Sequence, residues 1–311
     1  MKLLIFYLTD GRRHFTFQHF VDMLNESHRK GDWKLLILTH GNDSDFYKEI
    51  LSNTDISFET RDFAVENNYL VKASAACSYA EEHQFPYLMK CDNDIFLKST
   101  TLDYMVDNLH LLENSKHLTL GPVLTSGIPG IEYFKNTFLD DEAQKQIERL
   151  FLQTNFYDRD GACYQFLNKH TLQANEWNAS DFFESMRTMD HHYKGLHPIR
   201  VNPESIVFLN NYIIANKERF MQNGELSIID NDQSPYLCDS IFCIKSDTYS
   251  TILKTPSLFV DGYDEVPLNK YCWQNDMNHI FVNNGYAIHM YYNWMNGYIE
   301  NEKEFCRSFF I

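Results

Sequence analysis

Two carboxylates two positions apart, placed where a strand ends, can converge on one divalent cation. Oxygen donors of this kind suit Mg²⁺ or Mn²⁺, ions that usually carry substrate phosphates with them. The chain holds four such Asp-x-Asp triplets: Asp43-Ser44-Asp45, Asp92-Asn93-Asp94, Asp158-Arg159-Asp160 and Asp230-Asn231-Asp232. Aspartate is common enough here that some arise by chance, so context must choose among them. Only the triplet at 92 follows first a helical pattern and then a clear apolar run (PYLMKC), and it is itself followed by Ile95, Phe96 and Leu97. The triplet at 230 follows a shorter run and is its rival. Those at 43 and 158 lie in polar surroundings and read as solvated loops. The chemistry expected at Asp92 and Asp94 is charge neutralisation of a leaving diphosphate through a bound metal.

The elements that must position these groups alternate along the first half. Residues 2–8, 33–39, 56–61, 86–91 and 118–124 form continuous apolar or strand-like runs. Helical patterns follow at 15–24, 46–51, 69–82 and 102–112. Strands alternating with helices predict an α/β fold with a mostly parallel sheet flanked by helices. Ligands of such sheets bind beyond the carboxyl ends of the strands. Three polar loops fall at such ends: Thr9–Arg13, His40–Asp43 and the triplet at 92. All three are expected on one edge. Farther on, 140–156 reads as helix, 237–244 and 286–292 as strands, and 248–253 and 269–282 as helices. The segment 157–200 is polar and aromatic, carries His191, His192 and His197, and could be an insertion that binds an acceptor.

The run YLVKASAACSYAEEHQFPYLMKCDNDIFL resembles the donor-binding stretch of nucleotide-sugar glycosyltransferases with the GT-A fold, in particular the group similar to glycosyltransferase family 2. A second stretch, FVDGYDEVPLNKYCWQNDMNHIFVNNGYAIHMYY, is similar to the C-terminal pattern of that family. The resemblance implies a Rossmann-like sheet in one catalytic domain over 1–311. Residues 1–125 would be the nucleotide-sugar half and 126–311 the acceptor-binding half. It implies Asp92 and Asp94 on Mn²⁺ or Mg²⁺, with Asp92 also at the donor, and Asp10, Arg13 and Lys72 at the nucleotide. It places Asp276 as catalytic base of an inverting transfer, although Asn275-Asp276 stands where the family has two acidic residues. His289 would be a further metal ligand. The donor implied is a UDP-, GDP- or dTDP-sugar, and the acceptor a saccharide or glycan hydroxyl.

Composition narrows the alternatives. The net charge of −16 repels nucleic acid and anionic lipid. No apolar stretch approaches the ~20 residues of a membrane span. Seven cysteines with no C-x-x-C spacing argue against a disulfide framework and for a reducing compartment. The initial apolar run has no small-residue cleavage site after it, so it reads as a strand and a cytoplasmic location is expected. Three other classes stay open. A haloacid dehalogenase-type phosphatase also has Asp-x-Asp after a strand, but Phe96 stands where it needs Thr or Val. A nucleotidyltransferase would want a glycine-rich basic loop after the first strand, where this chain has Gly11, Arg12 and Arg13. A non-catalytic sugar-binding protein would use the abundant aromatics.

Overall fold

The computed structural model describes residues 1–9, 11, 13–41, 43–63, 68–126, 130–152, 156–157, 163–164, 203–222, 224–231, 237–259, 265–290 and 299–310. They divide into two compact units. The first comprises residues 1–122 and 225–288, the second 123–224 and 289–311.

The first unit is built on β1 (Leu3–Leu8), β2 (Trp33–His40), β3 (Phe58–Phe63), β4 (Tyr87–Asp92), β5 (Ile95–Leu97) and β6 (His117–Leu124), the last ending two residues past the unit boundary. Later in the chain come β9 (Ser227–Asn231), β10 (Ile241–Lys245) and β11 (Asn278–His289). The strand order is β3-β2-β1-β4-β10-β6-β11-β5, with β9 on β11. β1 pairs in parallel with β2 and β4, and β2 in parallel with β3. β10 is antiparallel to both β4 and β6, so β6 runs in the same direction as β4. The architecture is therefore α/β, with a mostly parallel, mixed central sheet, as the alternation of runs requires. β1, β2 and β4 are mostly apolar, as strands covered on both faces are. Leu3 to Phe6, Leu35 to Leu38, Leu88 and Met89 are fully buried.

The covering helices are α1 (His14–Glu26), α2 (Ser44–Leu51), α3 (Tyr69–Glu82) and α4 (Ser99–Asp107), with a 3-10 turn at Leu109–Glu113. α1 buries Phe17, Phe20, Val21 and Leu24, one stripe at helical spacing. Asn68 starts α3 by accepting a hydrogen bond from the backbone N–H of Leu70, which satisfies an orphan donor of the first turn.

The second unit holds α5 (Gly130–Phe138), α6 (Asp141–Leu152), a short antiparallel pair β7 (Phe156–Tyr157) and β8 (Cys163–Tyr164), α7 (Pro203–Ala215) and α8 (Lys217–Gln222). Phe134 stacks on Phe138 at 4.9 Å between ring centroids, and Phe220 meets Phe138 edge-on at 5.5 Å.

α9 (Ser246–Leu253) and α10 (Glu265–Gln274) return to the first unit, and α11 (Ile299–Phe310) closes the second. There Phe309 meets Phe220 edge-on at 5.5 Å.

One element differs from expectation in type. The helical pattern at 269–282 ends early: α10 stops at Gln274, and β11 begins at Asn278. Asp276 between them has φ +51°, a left-handed conformation that turns the chain out of the helix. The expected segment 157–200 and its histidines lie outside the described residues, apart from Tyr157 and β8. Among the described residues, no helix is long and apolar enough to cross a membrane. The described cysteines, Cys77, Cys91, Cys238, Cys243, Cys272 and Cys306, are all buried thiols.

Candidate functional site

The order β3-β2-β1-β4 has a reversal in it. From β1 the chain steps outward to β2 and β3, then crosses back to the other side of β1 to form β4. The carboxyl ends of β1 and β4 therefore bound the crevice at which ligands of doubly wound sheets are found. Register sets the two ends level, with Leu8 opposite Asp92 and Leu8 also opposite Leu38 of β2. The loops after β1, β2 and β4 thus share one edge, as the sequence predicts. The first two touch: Gly11 has φ +76°, and any side chain there would collide with the Asp43 carboxylate.

Charged groups cluster at this crevice. Arg13, 2% exposed, follows β1 and brings Nη1 to 3.4 Å from Oδ2 of Asp94, which follows β4. The ion pair therefore straddles the switch point. Lys72 of α3, 3% exposed, donates from Nζ to the backbone carbonyl of Thr9 at 2.9 Å. The hydroxyl of Thr9 accepts from the Gly11 N–H at 3.1 Å and from Nδ2 of Asn93 at 3.4 Å, and lies 2.7 Å from the Tyr47 hydroxyl. Thr16 Oγ1 is placed to donate to the carbonyls of both Arg13 and Asn93, at 2.7 and 2.6 Å. These bonds tie the loop after β1 to the triplet and fix both backbones.

Asp92 is the more open carboxylate, its side chain 28% exposed against 10% for Asp94. Its backbone N–H donates to the Ser240 carbonyl at 3.0 Å. Its Oδ2 lies 3.3 Å from Nζ of Lys90, which is wholly buried and also donates to Oδ2 of Asp239 at 3.0 Å. Lys90 and Asp92 stand two apart on β4 and so share one face of the sheet. Asp239 arrives from the segment leading into β10. That segment is held by Asn269 of α10, whose amide donates to the Leu237 carbonyl at 2.9 Å and whose oxygen accepts from the Leu237 N–H at 2.7 Å. Burial pushes the Cys91 thiol far above its ordinary value, and the carboxylates of Asp92 and Asp94 push it further the same way. Cys91 is buried within β4 and packs in the core.

The structure thus brings together Arg13, Lys72, Asp92 and Asp94. Asp10 lies outside the described residues. Asp276 is not brought to this edge. It pairs with Lys116, whose Nζ also donates to the Asp276 carbonyl at 3.0 Å, and Lys116 directly precedes β6. β6 runs parallel to β4 with Thr119 level with Leu88, so Lys116 lies beyond the amino end of β4. At ~3.3 Å per strand residue that is roughly 20 Å from Asp92 along the strands. The Asp276 side chain is 93% exposed, and Lys116 holds its carboxyl below the ordinary range. The rival Asp230 is also placed away from the crevice, with Oδ2 3.3 Å from Nε2 of His117 at the start of β6. His289 ends β11 in the second unit, buried, its N–H donating to Thr125 Oγ1 at 3.3 Å and its carbonyl accepting from Ser126 Oγ at 3.0 Å.

Sequence reading missed Lys90, Asp239, Asn93 and Thr16. Lys90 had a local signal, since a lysine inside an otherwise apolar buried strand needs a partner. Asp239 had none, because its place depends on β10 inserting beside β4.

Among the described residues, no group of three or more His, Cys, Asp or Glu side chains is arranged to hold a metal. The donors available at the crevice are the two hard carboxylates, which match Mg²⁺ or Mn²⁺ in type. The cations beside them match the phosphate oxygens such an ion carries.

No family model matches the chain, and no curated protein matches it. Solved structures with similar parts include S. aureus TarS 1-349 in complex with UDP-GlcNAc, at 12% identity and TM-score 0.32, over 40% of this chain and 34% of that one. A second is 4-diphosphocytidyl-2C-methyl-D-erythritolsynthase from Anaerococcus prevotii, at 9% identity and TM-score 0.46, over 98% of this chain and 96% of that one. A third is a cytidylyltransferase from Leptospira borgpetersenii, at 19% identity and TM-score 0.30, over 39% of this chain and 53% of that one. The chain thus spans about a third of the TarS chain it is similar to.

Proposed function

We propose that this chain is a transferase that binds a nucleoside-diphosphate sugar at the β1–β4 crevice and passes the sugar to a hydroxyl of a saccharide acceptor. The observation that carries the reading is the buried Arg13–Asp94 pair across the switch point, with Lys72 bound to the Thr9 carbonyl at the end of β1. An anionic chain needs such a local concentration of cations to receive a diphosphate. Asp92 and Asp94 would hold a Mn²⁺ or Mg²⁺ ion, which when bound neutralises charge on the departing nucleoside diphosphate. Arg13 is fixed by burial and by the bonds of its own backbone, so it is pre-oriented toward a phosphate oxygen at little entropic cost. Lys72 adds a positive charge on the same edge while holding the loop after β1. Asp276 has no part in this reading, because it stands at the amino ends of the strands.

A thermal-shift panel of UDP, GDP, dTDP, CDP and ADP, each with and without Mn²⁺, tests the reading. A ligand at about 100 times its Kd adds ~2.7 kcal/mol, enough for a clear shift. One nucleotide should stabilise the protein only with the metal. The effect should vanish in Asp94→Asn and persist in Asp276→Asn. No shift with any nucleotide, or a full shift in Asp94→Asn, overturns the assignment.

A further inference from the structure

Lys90 puts a charge inside the central sheet. Its side chain is fully buried in the middle of the sheet. An apolar residue of the same length would fill that place with no charge to desolvate, and exchange of a buried ion pair for apolar groups is often neutral or stabilising. Instead the ammonium is held from three sides. Asp239 Oδ2 lies at 3.0 Å, Asp92 Oδ2 at 3.3 Å, and the face of Tyr69 at 4.7 Å. Two of these supports are themselves fixed. The Tyr69 hydroxyl is hydrogen-bonded to that of Tyr249, and Asn269 clamps the backbone at Leu237, two residues before Asp239. Asp239 is 4% exposed, whereas Asp92 opens to solvent at the crevice. The arrangement has a closed end and an open end with Lys90 between them.

Resting on the nucleotide-sugar reading above, we infer that Lys90 is a positioning residue: anchored by Asp239, it holds the Asp92 carboxylate in the orientation that receives the metal-bound diphosphate. Lys90 itself does not touch the ligand. Asp239 fixes the ammonium, the ammonium fixes one oxygen of Asp92, and the carboxylate is then oriented before ligand arrives. Without Lys90, Asp92 loses this ion pair, and more of the binding free energy goes into holding the carboxylate in place.

A charge-balanced variant separates positioning from mere neutralisation of buried charge. In Lys90→Met/Asp239→Asn one buried cation and one buried anion are removed together, so the fold keeps its balance while Asp92 loses its ion pair with Lys90. Binding of UDP, GDP, dTDP, CDP and ADP in Mn²⁺ is measured by titration calorimetry on the full chain. The expected result is a loss of about tenfold or more in affinity for the nucleotide that binds the wild type. Lys90→Arg keeps the charge but moves it. It should also lose about tenfold, because a planar fork does not replace a point charge at this spacing. Wild-type affinity in both the double variant and Lys90→Arg overturns the inference and leaves the donor reading standing. A wild type that binds none of the five nucleotides overturns both.

Discussion

Replacement of Arg13 by Met tests the pair that spans the switch point. The guanidinium is 2% exposed and the Asp94 side chain 10%, so neither end of the pair is well solvated. At the 3.4 Å separation found, two unit charges attract by about 5 kcal/mol at an effective dielectric constant of ~20. Desolvation of both groups offsets much of this, and the intact pair contributes far less to net stability than its attraction. Removal of one partner is a different matter, because Asp94 keeps the desolvation cost and loses this cation. Arg13→Met is therefore expected to lower unfolding free energy by about 3 kcal/mol. Asp94→Asn removes the carboxylate instead, and in the double variant neither charge remains. The cycle should give a favourable coupling energy of ~1–3 kcal/mol, so that the double variant is less destabilised than the sum of the singles. Urea unfolding followed by circular dichroism and by tryptophan fluorescence measures all four proteins, with equal m-values as the condition for comparison. Strict additivity, or an Arg13→Met protein within ~0.5 kcal/mol of wild type, refutes the claim that this pair ties β1 to β4.

Two other predictions concern parts outside the crevice. Lys98 stands before the first turn of α4, and burial lowers its pKa to about 8. The unfolded chain holds this proton more tightly, so wild-type stability should rise relative to Lys98→Met as pH climbs from about 8 toward 10.5, the ordinary lysine value; a pH-independent difference in unfolding midpoints between the two proteins refutes this. Gly130 opens α5, and a methyl group there would come within 2.6 Å of both the backbone N and O of Leu124, neither of which can swing away. Gly130→Ala should cost about 2 kcal/mol in the same urea assay, and a neutral result would mean that the backbone yields.

Local pattern carried far in the first half of the chain and less far beyond it. α3 occupies the expected span, 69–82, and β1, β2 and β4 fall within a residue of their apolar runs, because continuous burial leaves a strong local imprint. From these the shared edge followed, and with it the meeting of Arg13, Lys72, Asp92 and Asp94. The error at 269–282 arose where helix and strand adjoin with only Asn275 to Met277 between them. Periodicity averaged over such a join reads as one element, although Asn-Asp is a turn signal. Asp276 was assigned from a family likeness, and what moves it away is β6 and β11, whose places in the sheet have no local signature. Asp230 follows the same logic, sitting on β9 against β11. Lys90 was visible as an anomaly in an apolar strand, but its anchor comes from residue 239.

The insertion of β10 beside β4 also fixes when the crevice can form. The Lys90–Asp239 bond closes a span of 149 residues, while β1, β2, β3 and β4 pair within the first 92. Contacts so distant in sequence are slow to form, since the chain between them must be ordered first. Without residues 237–245, β4 would be an open sheet edge and Lys90 would lack Asp239. Unpaired edges of this kind recruit other strands. The segment 237–245 both covers that edge and supplies Asp239, so one stretch of chain completes the crevice and closes the sheet edge beside it.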